Sequence, residues 1–125
     1  MTRSEPEIFT DDPLRIEITD GQEAVEVKWF GKSVQREPGK FISPILSDVI
    51  QKNSQDPKQI VLDFRDLDYM NSSTMTPIIK VLDRVRKGST RLTLIYDKSA
   101  KWQDLNFSAL KLFETEDQRV EIRGL

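Results

Sequence analysis

Cysteine and histidine are both absent from this chain of 125 residues. Without cysteine there is no disulfide, no thiolate nucleophile and no zinc site built on sulfur. Without histidine the commonest general base and the commonest zinc ligand are missing, and a Ser-His-Asp triad cannot be assembled. No apolar stretch approaches the roughly 20 residues that cross a bilayer. The first twelve residues are polar and acidic, with no apolar run of signal-peptide length. Neither sign of charge dominates: 19 basic residues stand against 21 acidic ones, for a net charge of −2. That balance supplies no general attraction to nucleic acid or anionic lipid. The expectation is a cytoplasmic, non-enzymatic protein with no cofactor and no metal, whose partners are neither nucleic acid nor membrane.

What is present suits one folded unit. Hydrophobic residues make up 37% and charged residues 32%, a balance typical of soluble domains and unlike that of disordered chains. The length supports a single core. Residues 1–12 read as a polar N-terminal tail and 13–125 as one domain. Leu14, Ile16 and Ile18 alternate with polar residues, as do Val25, Val27 and Trp29. With Asp20-Gly21 between them as a turn, where glycine tolerates a positive φ, they predict an antiparallel hairpin.

After a polar loop over 31–40, helical spacing joins Phe41, Ile42, Ile45, Leu46, Val49 and Ile50, with Pro44 near the start. Ile60 to Phe64 is a short apolar run, suited to a central strand buried on both faces. Met75, Ile78, Ile79, Leu82 and Val85 mark a second amphipathic helix. It begins either at Thr76, with Pro77 in the first helical position, or near Ser73, with Pro77 inside the first turn or so. Arg84, Arg86, Lys87 and Gly88 suit its end. Leu92 to Tyr96 reads as a strand, Trp102, Leu105, Ala109, Leu110 and Phe113 as the apolar positions of a third helix, and Val120 with Ile122 as a last strand. The class is α/β: a mixed sheet, with an N-terminal hairpin plus parallel strands, and about three amphipathic helices.

The segment Asp66 to Met75 places a cluster of hydroxyls between a buried strand and a helix. A helix start offers unpaired N–H groups and partial positive charge, so a phosphoryl group is tolerated there. The ordinary role of Ser, Thr and Asn at such a junction is N-capping. Leu67-Asp68-Tyr69-Met70-Asn71-Ser72-Ser73-Thr74 resembles the motif of STAS domains, the family of bacterial anti-sigma-factor antagonists. The resemblance covers roughly 13–123 and implies a STAS-like fold. It implies phosphorylation at Ser72, with Ser73 and Thr74 as alternates. The implied partner-binding segment is Tyr69, Met70, Asn71, Ser72, Ser73, Thr74 and Met75. The implied partners are a Ser/Thr protein kinase, a phosphatase and an effector such as a sigma-factor regulator or a diguanylate cyclase. Asn71 stands where Asp is usual, and Thr74 where Gly is common.

Tyr69-Met70-Asn71-Ser72-Ser73, with Gly31-Lys32-Ser33, Glu37-Pro38, Phe41 and Pro44 upstream, is also similar to the SiaC-type regulatory phosphoproteins. These are a STAS-like group in biofilm and cyclic-di-GMP control. That group's tryptophan and acidic run after the fourth strand is only faintly echoed by Trp102 and Asp104.

The resulting reading is a phosphorylation-controlled protein-binding switch. One alternative is a constitutive structural STAS subunit of a larger complex. The other is a receiver-like protein with an acidic metal site at Asp63, Asp66 and Asp68, although a receiver's acidic pair after the first strand is missing. Gly31-Lys32-Ser33 copies only the end of a phosphate loop. Trp29, Trp102, Phe107 and Phe113 read as core, with a ligand pocket or partner surface as the rival. Arg84, Arg86, Lys87 and Arg91 read as a solvated helix end.

Overall fold

The structure is a computed structural model and describes residues 5–125. Its first strand, β1 (Glu7–Asp11), lies inside the stretch expected to be a polar tail, of which residues 1–4 fall outside the described residues. Phe9 supplies the reason: it pairs with Ile16 of β2 (Leu14–Asp20) and packs half-buried against the core. The sheet therefore begins at Glu7. β2 pairs antiparallel with β3 (Ala24–Ser33), as the alternating pattern requires. The turn between them closes with Gly21 N donating to Ala24 O, and Gly21 does not adopt a positive φ.

The remaining strands run parallel to β3. They are β4 (Gln59–Asp63), the short β5 (Leu67–Met70), β6 (Leu92–Tyr96) and β7 (Val120–Gly124). The order across the sheet is β1-β2-β3-β4-β6-β7, with β5 continuing alongside β3 beyond the end of β4. Pairing aligns Ile16 with Trp29, Val27 with Leu62, and Leu62 with Leu94 and then Ile122. All of these are buried, and they form one core with the inner faces of the helices α1 (Gly39–Asn53), α2 (Met75–Lys87) and α3 (Lys101–Ser108).

Among the described residues the other face of the sheet carries no helix. β4 is central, as expected, but its second face is covered by side chains. Arg65 lies on Asp63, and Gln59 Nε2 donates to Thr93 Oγ1 at 2.6 Å.

The helix phases differ from expectation in two places. On α2 the inward positions are Pro77, Ile78, Val81, Leu82 and Val85, while Ile79 faces out. On α3 they are Gln103 and Phe107, followed by Leu110 and Phe113 in a 3-10 segment (Ala109–Phe113). Leu105 and Ala109 are exposed. The inward positions still share one helical face, and residue type hides it: Gln103 is polar but buried, and Leu105 is apolar but exposed. α2 ends at Gly88 as expected. Arg119 satisfies two of its last carbonyls, donating from Nη1 to Val85 O and from Nη2 to Arg86 O, and Nη1 also donates to Thr90 O beyond the helix. Arg86 and Lys87 pair instead with Asp83.

Candidate functional site

The site is built where β3 and β5 run side by side. Gly31 has φ +82, and a Cβ there would lie 2.0 Å from the Pro13 carbonyl oxygen. Only glycine lets β3 approach the Pro13 backbone so closely. Lys32 N donates to that oxygen at 3.1 Å, and the register of β3 against β5 shifts between Gly31 and Lys32. This shift brings Ser33 opposite Met70, just before the hydroxyl cluster.

Asn71 organises the turn. Its backbone N–H donates to Ser33 O at 2.9 Å. Its Oδ1 accepts from Thr74 N at 3.1 Å and from Thr74 Oγ1 at 2.9 Å, and its Nδ2 donates to Gln35 O at 2.8 Å. Thr74 Oγ1 has given its one proton to Asn71, so the 2.7 Å contact with Ser33 Oγ has Ser33 as donor. Asn71 is thus the N-cap of a 3-10 turn (Ser72–Thr74) that runs directly into α2. Of the two starts open in the sequence, the one near Ser73 describes the helix, and Pro77 is buried within it.

Capping accounts for Asn71 and Thr74 and leaves two hydroxyls over. Ser72 and Ser73 are exposed, and among the described residues their side chains have no hydrogen-bond partner. Their N–H groups occupy the first helical positions, which lack intrahelical acceptors. No acidic side chain lies in the first turn of α2.

The expected partner-binding segment divides accordingly. Tyr69 is exposed at 48%, Ser72 and Ser73 are exposed, and Asn71 and Met75 are half-buried. Met70 and Thr74 are buried, at 7% and 0% exposure. This corrects two expectations: Met70 faces the core from β5, and the Thr74 hydroxyl is locked between Ser33 and Asn71, so neither presents a side chain to a kinase or partner. The period of two along β5 turns Met70 inward and Tyr69 outward.

The acidic residues do not converge. Asp63 is buried and bonded at Oδ1 by Arg65 N and Nε, and at Oδ2 by Arg65 Nη2. Burial pushes its carboxyl up, but the Arg65 hydrogen bonds and charge outweigh that and hold it below the usual carboxylate range. Asp66 and Asp68 are exposed. Among the described residues no group of three acidic side chains is placed to hold a metal ion.

The aromatic residues are mainly core. Trp29 stacks on Phe64 at 4.6 Å, Phe64 packs tilted against Phe107 at 4.7 Å, and Phe107 lies 5.9 Å from Tyr96. Trp102 sits half-buried at the margin.

Sequence reasoning did not find the supporting residues Gln35 and Gln103. Gln35 lies in a polar loop and binds through its backbone, which leaves no trace in residue type. It did single out Gly31-Lys32-Ser33, as part of the SiaC-type likeness, without seeing that Ser33 underlies the turn.

No family model matches the chain, and no curated protein matches it. A solved structure of an anti-sigma factor antagonist from Mycobacterium paratuberculosis does. It is 14% identical with a TM-score of 0.55, and the match covers 88% of this chain and 93% of that one. The mixed sheet with three helices is therefore a STAS-like fold, the fold this chain shares with that anti-sigma factor antagonist.

Proposed function

We propose that the protein is a partner-switching regulator whose binding is controlled by phosphorylation at Ser72. The observation that carries this reading is the division of labour in the turn. Asn71, Thr74 and Ser33 do the structural work, and the Ser72 hydroxyl stands exposed and unengaged at the start of a helix. A hydroxyl retained only as a cap would be bonded to a helix N–H. Ser73 shares the exposure, and the place directly after Asn71 in the STAS motif selects Ser72. The mycobacterial antagonist of the same fold supports a regulatory, protein-binding role.

In this reading the unmodified surface around Tyr69, Ser72 and Ser73 docks on a protein partner. Phosphorylation by a Ser/Thr kinase adds about 1.5 to 2 negative charges at its centre. An interface fitted to a neutral hydroxyl must then desolvate an anion, and each ~1.4 kcal/mol lost lowers affinity tenfold. A phosphatase reverses the change. The likeness to SiaC-type proteins points to a diguanylate cyclase as effector, and the broader likeness to a sigma-factor regulator. A cytoplasmic location follows from the partner-switching reading itself; among the described residues no helix is long and apolar enough to cross a membrane.

The test is to recover the protein from native lysate and map its phosphopeptides and partners by mass spectrometry. Modification is expected at Ser72. Ser72→Ala should hold the partner permanently, and Ser72→Asp should bind it more weakly at nearly unchanged Tm. Modification confined to Ser73, or a large fall in Tm with unchanged affinity, would defeat the proposal.

A further inference from the structure

We propose that Arg36 is an internal receptor for a phosphoryl group on Ser72, drawing the 34–38 loop onto the start of α2 when the serine is modified. The inference rests on reading Ser72 as the modification site. The two segments are already in contact: Asn71 Nδ2 donates to Gln35 O at 2.8 Å, and Ser72 and Arg36 are the next residues in sequence on either side of that contact. The 34–38 loop is itself held in place, because Gln35 Nε2 donates to Asp12 O. A modified Ser72 and the Arg36 side chain therefore project from two backbones fixed to each other by one side-chain bond.

Arg36 is also available. It is exposed, and among the described residues it has no ion pair or hydrogen-bond partner. It lines an open depression of about 480 Å³ with Asp11, Gln35, Glu37, Lys40 and Phe41, which leaves room for the guanidinium to swing. The nearby cations are less suited. Lys40 is paired with Glu37 at 3.0 Å. Lys32 is exposed but lies opposite Tyr69 within β3, three residues before the bonded Gln35 carbonyl. An arginine fork also matches phosphate oxygens in a way that an ammonium does not.

Before modification Arg36 has no bonded anion. A phosphoryl group would be held between its guanidinium on one side and the free N–H groups of the helix start on the other. The same charge that spoils a partner interface would thus be folded back onto the domain, and the 34–38 loop would become part of the modified surface.

The experiment installs phosphoserine at position 72 during translation, so that it does not depend on the native kinase. The phosphoprotein is then treated with a broad-specificity phosphatase. Arg36→Gln is expected to lose phosphate about two- to fivefold faster than the wild type, the range an exposed ion pair supplies. Hydrogen exchange at 34–38 should slow on phosphorylation in the wild type and not in Arg36→Gln. Lys32→Gln and Lys40→Gln should stay close to the wild type in both measurements. Equal dephosphorylation of the wild type and Arg36→Gln would overturn the proposal. So would equal acceleration by all three substitutions, which would show only a change in net charge. If Arg36 behaves as expected but cells never modify Ser72, the switch reading falls and the phosphate-binding geometry stands.

Discussion

At residue scale, both ends of the Asn71 amide are in use, the oxygen on Thr74 and the nitrogen on the Gln35 carbonyl. Aspartate, usual in STAS domains at this place, would keep the acceptor and lose the donor, setting a carboxylate against a carbonyl. The departure from the motif is therefore tied to the 34–38 loop and not to the cap. Asn71→Ala should cost about 1–2 kcal/mol in urea denaturation, since the cap is lost. Asn71→Asp should lose much less, yet speed hydrogen exchange at 34–38 as much as Asn71→Ala does. Equal stability losses for the two would show that the Gln35 bond, and not capping, carries the energy.

At element scale, α3 latches the end of the sheet through one polar side chain. Gln103 is 1% exposed, donates from Nε2 to Phe64 O and Leu67 O, and accepts at Oε1 from Asp97 N. It therefore fixes the turn that delivers β5 to the site. Gln103→Leu fills similar space but leaves those groups without a partner, at roughly 1–3 kcal/mol for each one that water cannot reach. Gln103→Glu keeps an acceptor for Asp97 and should recover part of the loss. A Leu variant as stable as the wild type in chemical denaturation would show that the turn holds without the latch. Gln103 also marks where the sequence stopped being legible. The strand alternations, the order of elements and the hydroxyl turn could be read because period and residue type carry them. Gln103 looks like a surface residue, Leu105 looks like core, and only tertiary contact reverses the two. β5 was likewise hidden, because four residues paired through a register shift have too few alternations to show a period.

At the scale of the whole molecule, stability should be insensitive to pH between about 5 and 8, since no histidine titrates there. Both limits have named contributors. Asp63 sits below its ordinary range in the folded state, because its Arg65 bonds outweigh the cost of burial. Its contribution is present above the unfolded carboxylate value of about 4 and is lost as pH falls through the folded one. Tyr96 is shifted upward by burial first, then by Asp104 and Glu114. Its contribution is complete below about pH 10 and is lost as pH rises through the folded value. Urea denaturation across pH should show both limbs, and Tyr96→Phe should flatten the alkaline one. An unchanged alkaline limb would assign it elsewhere. The aromatic row adds a consequence in time. Trp29, Phe64, Phe107 and Tyr96 come from β3, the residue just after β4, α3 and β6. On a ribosome, the hairpin of β2 and β3 emerges long before the residues that enclose its tryptophan. Trp29 meets its stacking partner only when Phe64 has followed, so with Trp102 replaced by phenylalanine the emission of Trp29 should report that closure during folding.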